Sequence, residues 1–263
     1  MKVEDWKTQV KTSLVAEGIY LTEIEDSEFC LLAIETAKII IHLIDIPNKF
    51  SLQEVIDLAN REQFRSQKFV QLWEDVWERK KELVVDRLRS FCGLSRRVHG
   101  RKTKFERISK PLAETFLNEN HLQGYASSRF KYGLVLAGEL LAVITFSATR
   151  NMDYGEEYRS IELIRFAIKR GFSVSGGLSK LLIGHHRLHP TTDIMTYIDL
   201  DWGTGLAFKQ LGFKQVDVVA PLFFKLGSDF ERHKTTQPLG DVNGLVFNSG
   251  SAKMILNFED GCV

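Results

Sequence analysis

The sequence predicts a mixed α/β protein built from two domains, and three observations support this. Apolar and β-branched runs typical of strands alternate with amphipathic stretches typical of helices. A basic segment, residues 96–110, separates the two halves. The chain has 263 residues and is 44% hydrophobic, enough for two modest cores. We therefore predict a small α/β domain over residues 1–95, a basic linker over 96–110 and a mixed-sheet α/β (α+β) domain over 111–263.

The first half alternates helices with buried strands. Ser51 followed by Glu54 has the spacing of a capping box, which predicts the start of a helix there. Gly18 and Gly93 follow amphipathic stretches and are typical helix stops. In chain order the predicted elements are a helix in VEDWKTQVKTSLVAEG, strands in FCLLAIET and KIIIHLIDI, a helix in SLQEVIDLANREQF, a strand KFVQLW and a helix EDVWERKKELVVDRLRSF.

The second half is richer in strands. Ala137 and Gly138 mark a tight turn between two of them, and Asn248 to Gly250 marks a hairpin near the end. In chain order the predicted elements are a helix in PLAETFLNENH, two strands in KYGLVLAGELLAVITFSA, a strand SIELIRFAIK, a helix GLSKLLIGHHRL, a strand DIMTYIDL, a helix GTGLAFKQLGF, a strand VVAPLFFKL and a final hairpin in GLVFNSGSAKMILNF.

Composition and hydropathy bear on the predicted cellular location and on the use of the cysteines. The most apolar stretch, LLAIETAKIIIHLIDI, is interrupted by charged residues, so no membrane span is predicted. The N-terminus has no apolar core after its first charges and does not resemble a signal peptide, so we expect a cytoplasmic location. Cys30, Cys92 and Cys262 are too far apart in sequence to indicate a disulfide framework or a zinc site.

A glycine-rich turn between strand SIELIRFAIK and helix GLSKLLIGHHRL is the main candidate for a cofactor site. A strand, a turn of small residues and a helix start together present free backbone N–H groups, to which anions bind readily. The alternative is that the glycines only make a tight strand-to-helix turn. The candidate cofactor-binding residues are Arg170, Gly171, Ser173, Ser175, Gly176, Gly177, Ser179 and Lys180.

Three residues are candidates for acid–base chemistry. Asp199 ends a predicted strand, where ligands of open α/β sheets bind, whereas nearby Asp201 suits a helix N-cap. His121 lies in a polar cluster at a helix end, which could also be a simple C-cap. Glu162 and Arg165 are charges in an apolar strand, and strict alternation places them on opposite faces. They either line a cleft or form structural ion pairs.

The basic segment is a candidate nucleic-acid contact. Residues 96–110 carry seven basic residues and one acidic residue, which indicates either a solvated linker or a phosphate-backbone contact. Trp202 and Phe172 could stack on a base, or could be ordinary core residues. His185 and His189 share a helix face without a third ligand, so no metal site is predicted. The candidate nucleic-acid-binding residues are Arg96, Arg97, Arg101, Lys102, Lys104 and Trp202.

The second half also resembles a known family. The ordered motifs FLNENHLQGY, ELIRFA, GGLSKLL, YIDLDWGTGLAFKQLGF and FNSGSAKMIL are similar to the C-terminal domain of phage Hef-like homing endonucleases. That domain is related to Mom-type DNA-modification proteins and to the GNAT acyltransferase fold. The resemblance implies that the glycine-rich turn holds the pyrophosphate of an acyl donor, acyl-coenzyme A or another activated acyl compound. RGFSVSGG departs from the usual GNAT spacing.

The first half has a weaker resemblance. QKFVQLWEDVWERKKELVVDRLRSFCG is similar to the last strand and helix of the very-short-patch-repair-like PD-(D/E)XK nuclease domain. Such a nuclease holds Mg²⁺ with acidic residues on neighbouring strands, and here only Glu35 falls near such a position. The resemblance implies a degenerate nuclease domain.

These observations lead to three hypotheses. The first is a phage-type protein, bound to DNA, whose GNAT-like domain transfers an acyl or related small group to a DNA base. The second is a non-catalytic protein that binds DNA or inhibits a partner. The third is an active Mg²⁺-dependent endonuclease.

Overall fold

The structure is a computed structural model that describes residues 5–153, 155, 157–203, 205–235 and 245–258. It confirms the mixed α/β class. The chain divides into two compact units, each assembled from separate stretches. The first comprises Met1–Cys92, Ile198–Thr204 and Val218–Ala252, and the second Gly93–Tyr197, Gly205–Asp217 and Lys253–Val263.

The N-terminal part of the first unit follows the predicted order of elements. Ser51 accepts the N–H of Glu54, and the Glu54 carboxylate accepts the N–H of Ser51, so the predicted capping box is present. The elements are helix α1 (Trp6–Ala16), strands β1 (Thr22–Ile24), β2 (Leu31–Ile34) and β3 (Ile39–Ile44), helix α2 (Leu52–Ala59), strand β4 (Lys68–Trp73) and helix α3 (Glu74–Phe91).

These strands form a four-stranded sheet in the order β1-β2-β3-β4. Strand β2 is antiparallel to both β1 and β3, and β4 is parallel to β3. Every residue of β2 and β3 is buried, as expected for strands covered on both faces. His42 lies in this core and hydrogen-bonds Gln71 at 2.7 Å, and burial lowers its pKa to about 4.

The remaining chain supplies the rest of both units. Its elements are strands β5 (Arg96–His99) and β6 (Lys104–Arg107), helix α4 (Lys110–Asn120), strands β7 (Phe130–Leu136), β8 (Glu139–Phe146), β9 (Arg150–Asn151), β10 (Arg159–Ile168) and β11 (Phe172–Ser175), helix α5 (Gly177–Leu188), strand β12 (Asp193–Asp199), helix α6 (Leu206–Lys209), and strands β13 (Lys214–Val219), β14 (Phe223–Leu226), β15 (Arg232–Thr235), β16 (Val246–Phe247) and β17 (Ser251–Asn257).

An eight-stranded sheet runs in the order β13-β17-β12-β10-β8-β7-β6, with β9 paired to β10. Helix α4 packs its buried residues Ala113, Phe116 and Leu117 with Val143 and Ala167 of β8 and β10. Helix α5 connects β10 to β12, and these two strands are parallel, so the three elements form a βαβ unit.

Several sequence predictions need correction. The segment predicted as a linker contains β5 and β6 and belongs to the second unit. VVAPLFFKL is interrupted at Pro221, which lacks an N–H for strand pairing, and its halves fall in β13 and β14. The predicted final hairpin is wrong because β16 pairs with β14 whereas β17 joins the eight-stranded sheet. The helix predicted in GTGLAFKQLGF covers only four residues.

Candidate functional site

The predicted cofactor turn is not a simple glycine loop. After Gly171, which has φ +78°, the chain forms strand β11, and this strand pairs in parallel with β5. Gly176 then adopts φ +71° as the residue that precedes helix α5. The pairing of β11 with β5, which lies about 75 residues earlier in the chain, therefore holds the turn in position. Neither strand was predicted from the sequence.

Glycines allow β5 and its following turn to approach helix α5 closely. A Cβ on Gly100 would lie 3.0 Å from the Ser175 carbonyl oxygen, and a Cβ on Gly177 would lie 2.8 Å from Cγ1 of Val174. Gly177 is therefore required for packing, whereas Gly176 has open space around it and is required for its backbone conformation.

Two polar groups predicted to bind an anion are used inside the protein. The Lys180 ammonium donates to the carbonyl oxygens of Gly100 and Thr103. The Ser175 hydroxyl accepts the Nε–H of Arg97 at 2.8 Å. The backbone N–H of Arg170 donates to Asn120 Oδ1 at 2.8 Å, while Ser173 and Ser179 are half-buried. Hydrogen bonds to other parts of the protein therefore hold this turn in place. Fewer polar side chains are available to bind an acyl donor than the sequence predicted.

A β-bulge in strand β10 rearranges the charged residues of that strand. The register with β8 shifts between Leu163, opposite Phe146, and Arg165, opposite Thr145, so Ile164 is an extra residue. Because a bulge adds one residue to the alternation, Glu162 and Arg165 lie on the same face of β10. The prediction from strict alternation, which placed them on opposite faces, is wrong.

Arg165 links this strand to the loop that follows helix α4. Its Nε–H donates to the Gly124 carbonyl at 3.1 Å, and its Nη1 donates to the Ile164 carbonyl at 2.9 Å. Burial lowers the pKa of Arg165, and the negative charge of Glu162 partly offsets that shift. The backbone of Glu162 is anchored on both sides by Ser147, through its Oγ and its N–H.

His121 lies at the start of the loop that Arg165 holds. It is the C-cap residue of α4, its carbonyl accepts the N–H of Gly124, and its Nδ1 accepts the N–H of Gln123. Both the capping interpretation and proximity to a charged site therefore apply. Within the second unit, Arg165 therefore links the loop of His121 to strand β10, the strand that also carries Glu162.

Asp199 ends strand β12 and is grouped with the first unit. Its Oδ1 accepts the N–H of Asp201 at 3.1 Å. The carboxylate of Asp201 is buried and accepts the N–H of Ser249 at 2.8 Å. Burial, and then the charge of Asp199, raise the pKa of Asp201. Asp201 thus acts as a core hydrogen-bond acceptor rather than as the predicted cap of a surface helix.

Of the candidate nucleic-acid contacts, the basic residues are accessible and the aromatic residues are covered. The five predicted cations of the basic segment are exposed. Trp202 is only 6% exposed, and the guanidinium of Arg87 lies 5.6 Å from its ring centroid. Phe172 is half-buried with Arg96 and Lys169 over its ring. Trp202 is not positioned to stack on a base in this structure.

The two histidines of helix α5 belong to an aromatic cluster. His185 is fully buried and stacks on Phe146 at 4.0 Å between ring centroids, and His189 lies 4.3 Å from Phe130. Burial, with smaller effects of His189 and His186, lowers the pKa of His185 to about 3. Within the described ranges, no group of three or more His, Cys, Asp or Glu residues is arranged to hold a metal ion.

Among the described residues, Glu35 is not part of an acidic cluster that could hold a metal ion. Glu35 is exposed in a short 3₁₀ turn between β2 and β3, and Lys38 follows in the left-handed region with φ 53°. Cys30 and Cys92 are free thiols, and Cys262 lies outside the described residues. In the part of the chain that the structure describes, no helix has the length and apolar character needed to span a bilayer.

Comparisons with known proteins gave similarities only among solved structures. No protein-family model matches the sequence, and the comparison with curated proteins gave no match. A GNAT family acetyltransferase from Elizabethkingia anophelis with acetyl-CoA bound is 14% identical, with 59% of this chain and 98% of that chain covered and a TM-score of 0.39.

Two further structures align over a similar share. Naa50 from Arabidopsis thaliana in complex with the bisubstrate analogue CoA-Ac-MVNAL is 9% identical, covers 60% of this chain and 99% of that chain, and has a TM-score of 0.40. The ribosomal-protein-S18-alanine N-acetyltransferase from Escherichia coli is 11% identical, covers 59% and 93%, and has a TM-score of 0.37. Because these TM-scores are low, we base the site assignments only on the geometry described above.

Proposed function

We propose that the second unit is a GNAT-like acyltransferase that transfers an acyl or related small group to an amine of a DNA base. The observation that carries this proposal is that the pairing of β10 with β12 stops before the carboxyl ends of both strands. Their pairing covers Ser160–Leu163, and the described β10–β12 register does not include the bulge or the residues after it. In α/β sheets, ligands bind where parallel strands separate at their carboxyl ends.

The edge of β10 beyond Leu163 offers backbone groups to an extended donor, in the manner of a strand added to a sheet. A donor such as acyl-coenzyme A supplies the activated acyl group. We assign its anionic portion to the first turn of α5, with Ser173, Ser179 and the backbone N–H groups after Gly176. Lys180 supports this turn indirectly because it holds Gly100 and Thr103 against it.

Glu162 is the proposed general base of the second unit. Arg165, on the same strand face, holds the loop of His121 through its hydrogen bond to the Gly124 carbonyl. The acceptor amine would lose its proton to Glu162 as the new N–C bond forms and the bond between the acyl group and the donor's leaving group breaks. That proton would then pass from Glu162 to the leaving group. Asp199, which ends strand β12 and is grouped with the first unit, stays a separate prediction for a residue that orients or deprotonates an acceptor.

Nucleoside mass spectrometry tests this proposal. DNA and RNA from cells that express the protein are compared with nucleic acid from cells that express Glu162→Gln, Asp199→Ala or the control Glu106→Gln, an exposed carboxylate on β6. We expect a new modified nucleoside with the unmodified protein and with the control, and its loss in Glu162→Gln. Normal nucleosides in every sample, from soluble and folded protein, would contradict acyl transfer to nucleic acid.

A non-catalytic DNA-binding protein is the second candidate. The internal use of Lys180 and Ser175 favours it, because a donor site loses polar contacts when the protein itself occupies them. Under this function the purified protein binds DNA, no nucleoside changes, and Glu162→Gln binds DNA as tightly as the unmodified protein does.

A further inference from the structure

A cluster of four cations, two of them at the end of the basic segment, lies on the second unit. Arg107 ends strand β6 and Lys110 begins helix α4, while Arg129 precedes β7 and Lys131 lies within it. The backbone brings these positions together, because the N–H of Ile108 donates to the carbonyl of Lys131 at 3.1 Å. Arg107, Lys110 and Arg129 are exposed, and Lys131 is half-buried.

The charges of this cluster act on one another. The pKa of Lys131 is lowered by burial and further by the positive charges of Lys110, Arg107 and Arg129. The Lys131 ammonium donates to the Ser128 carbonyl at 2.5 Å. None of the four forms an ion pair with another described residue, and the first turn of α4 holds no acidic residue.

Like charges gathered without counter-charges disfavour the folded state, and a bound polyanion removes that cost. The exposed cations Arg101, Lys102 and Lys104 precede this cluster in the chain. No Phe, Tyr or Trp side chain described between residues 96 and 131 is exposed, whereas protein interfaces are enriched in such residues. The chemistry of this surface therefore matches a phosphate backbone.

We propose that Arg107, Lys110, Arg129 and Lys131 form a contact surface for the phosphate backbone of duplex DNA. The inference deepens the proposed function, on which it rests for the identity of the partner, and it adds residues from β7 and α4 that lie outside or at the end of the basic segment. These contacts position the duplex without reading its sequence.

Binding measurements without any donor test the proposal separately from catalysis. The probe is a fluorescent DNA duplex of about 20 base pairs, titrated at salt concentrations from about 50 to about 200 mM. The test variant is Lys110→Gln with Arg129→Gln. The matched control is Arg187→Gln with Lys209→Gln, two exposed cations on α5 and α6. Each pair removes two positive charges and changes the formal net charge from +1 to −1.

We expect the unmodified protein and the control to show the same steep dependence of log affinity on log salt. The test variant should lose about two units of that slope, roughly one for each phosphate contact. The proposal is overturned if the unmodified protein does not bind the duplex at low salt, or if the test and control variants behave alike. If no modified nucleoside is found but DNA binding still depends on the cluster, the transferase function is contradicted and the proposed contact surface is supported.

Discussion

Glu162 and Arg165 lie on the same face of strand β10 because Ile164 is inserted between them as a bulge. Without the bulge, two residues three apart in a strand would point to opposite sides of the sheet. The inserted residue also supplies a carbonyl that the Arg165 guanidinium uses. One local irregularity therefore places both charged residues on one face and supplies one of the hydrogen-bond acceptors of Arg165.

Arg165→Lys should destabilise the second unit. A lysine ammonium has no planar fork with which to bond the Gly124 and Ile164 carbonyls together, so at least one charge-assisted hydrogen bond is lost. We expect the free energy of unfolding to fall by about 1.5–3 kcal/mol in urea denaturation. Lys169→Arg, at an exposed cation of the same region, is the control. Equal stability of Arg165→Lys and the unmodified protein would show that the two bonds are not important.

His185 should make the protein sensitive to acid. Its pKa is about 3 in the folded state against an ordinary 6.5, so the unfolded state takes up the proton first. Stability is therefore complete above pH 6.5 and is lost as pH falls towards 3, by about 1.4 kcal/mol per pH unit. His185→Phe keeps a ring against Phe146 and should flatten this loss. His42 contributes in the same direction, so some acid dependence remains. An unchanged acid profile would contradict the prediction.

Asp201 should have the opposite dependence on pH. Burial and the neighbouring Asp199 raise its pKa above the ordinary 3.8, so the unfolded state loses its proton first and stability falls as pH rises above that value. Asp201→Asn keeps an oxygen for the N–H of Ser249 and cannot ionise. We expect it to gain thermal stability relative to the unmodified protein at about pH 8 and less at about pH 5. A gain of the same size at both pH values would contradict ionisation as the cause.

Gly184→Ala should reverse the usual effect of alanine in a helix. Alanine is ordinarily favoured over glycine there by about 1 kcal/mol. At this position of α5, however, a Cβ would lie 2.6 Å from the ring of Phe105, which is itself stacked on Tyr132. We expect a loss of about 1–3 kcal/mol from overpacking.

A double-mutant cycle with Phe105→Leu checks the cause of that loss. If the ring is the obstacle, the smaller leucine relieves the clash, and Gly184→Ala then costs much less in the Phe105→Leu background. Equal costs in the two backgrounds would place the strain elsewhere.

Local signals predicted local structure well. The Ser51 capping box, the turn at Ala137 and Gly138 and the bounds of β4, α3 and α5 all follow from neighbouring residues, and the structure has them. These features depend on capping, backbone conformation and periodicity within a few residues. The order of strands and helices could therefore be predicted over most of the chain.

Features that depend on distant partners could not be predicted. The pairing of β11 with β5 joins residues about 75 positions apart, and β16 leaves its sequence neighbour β17 to pair with β14. Likewise, the bulge at Ile164 has no local signature, and Arg129 and Lys131 join the basic residues only through sheet pairing. The proposed roles of Asp199, His121 and Glu162 remain predictions.

The interleaving of the two units constrains how this protein is made. The first unit needs residues 218–252, because Asp75, buried at the start of α3, receives two hydrogen bonds from Arg232. A ribosome that has released only residues 1–92 has supplied the acidic half of this ion pair without the basic half. An unpaired buried carboxylate is strongly unfavourable. We therefore expect the nascent first unit to complete its fold only after the second unit's long internal stretch has been synthesised, so that fragments cut near residue 92 yield incomplete domains.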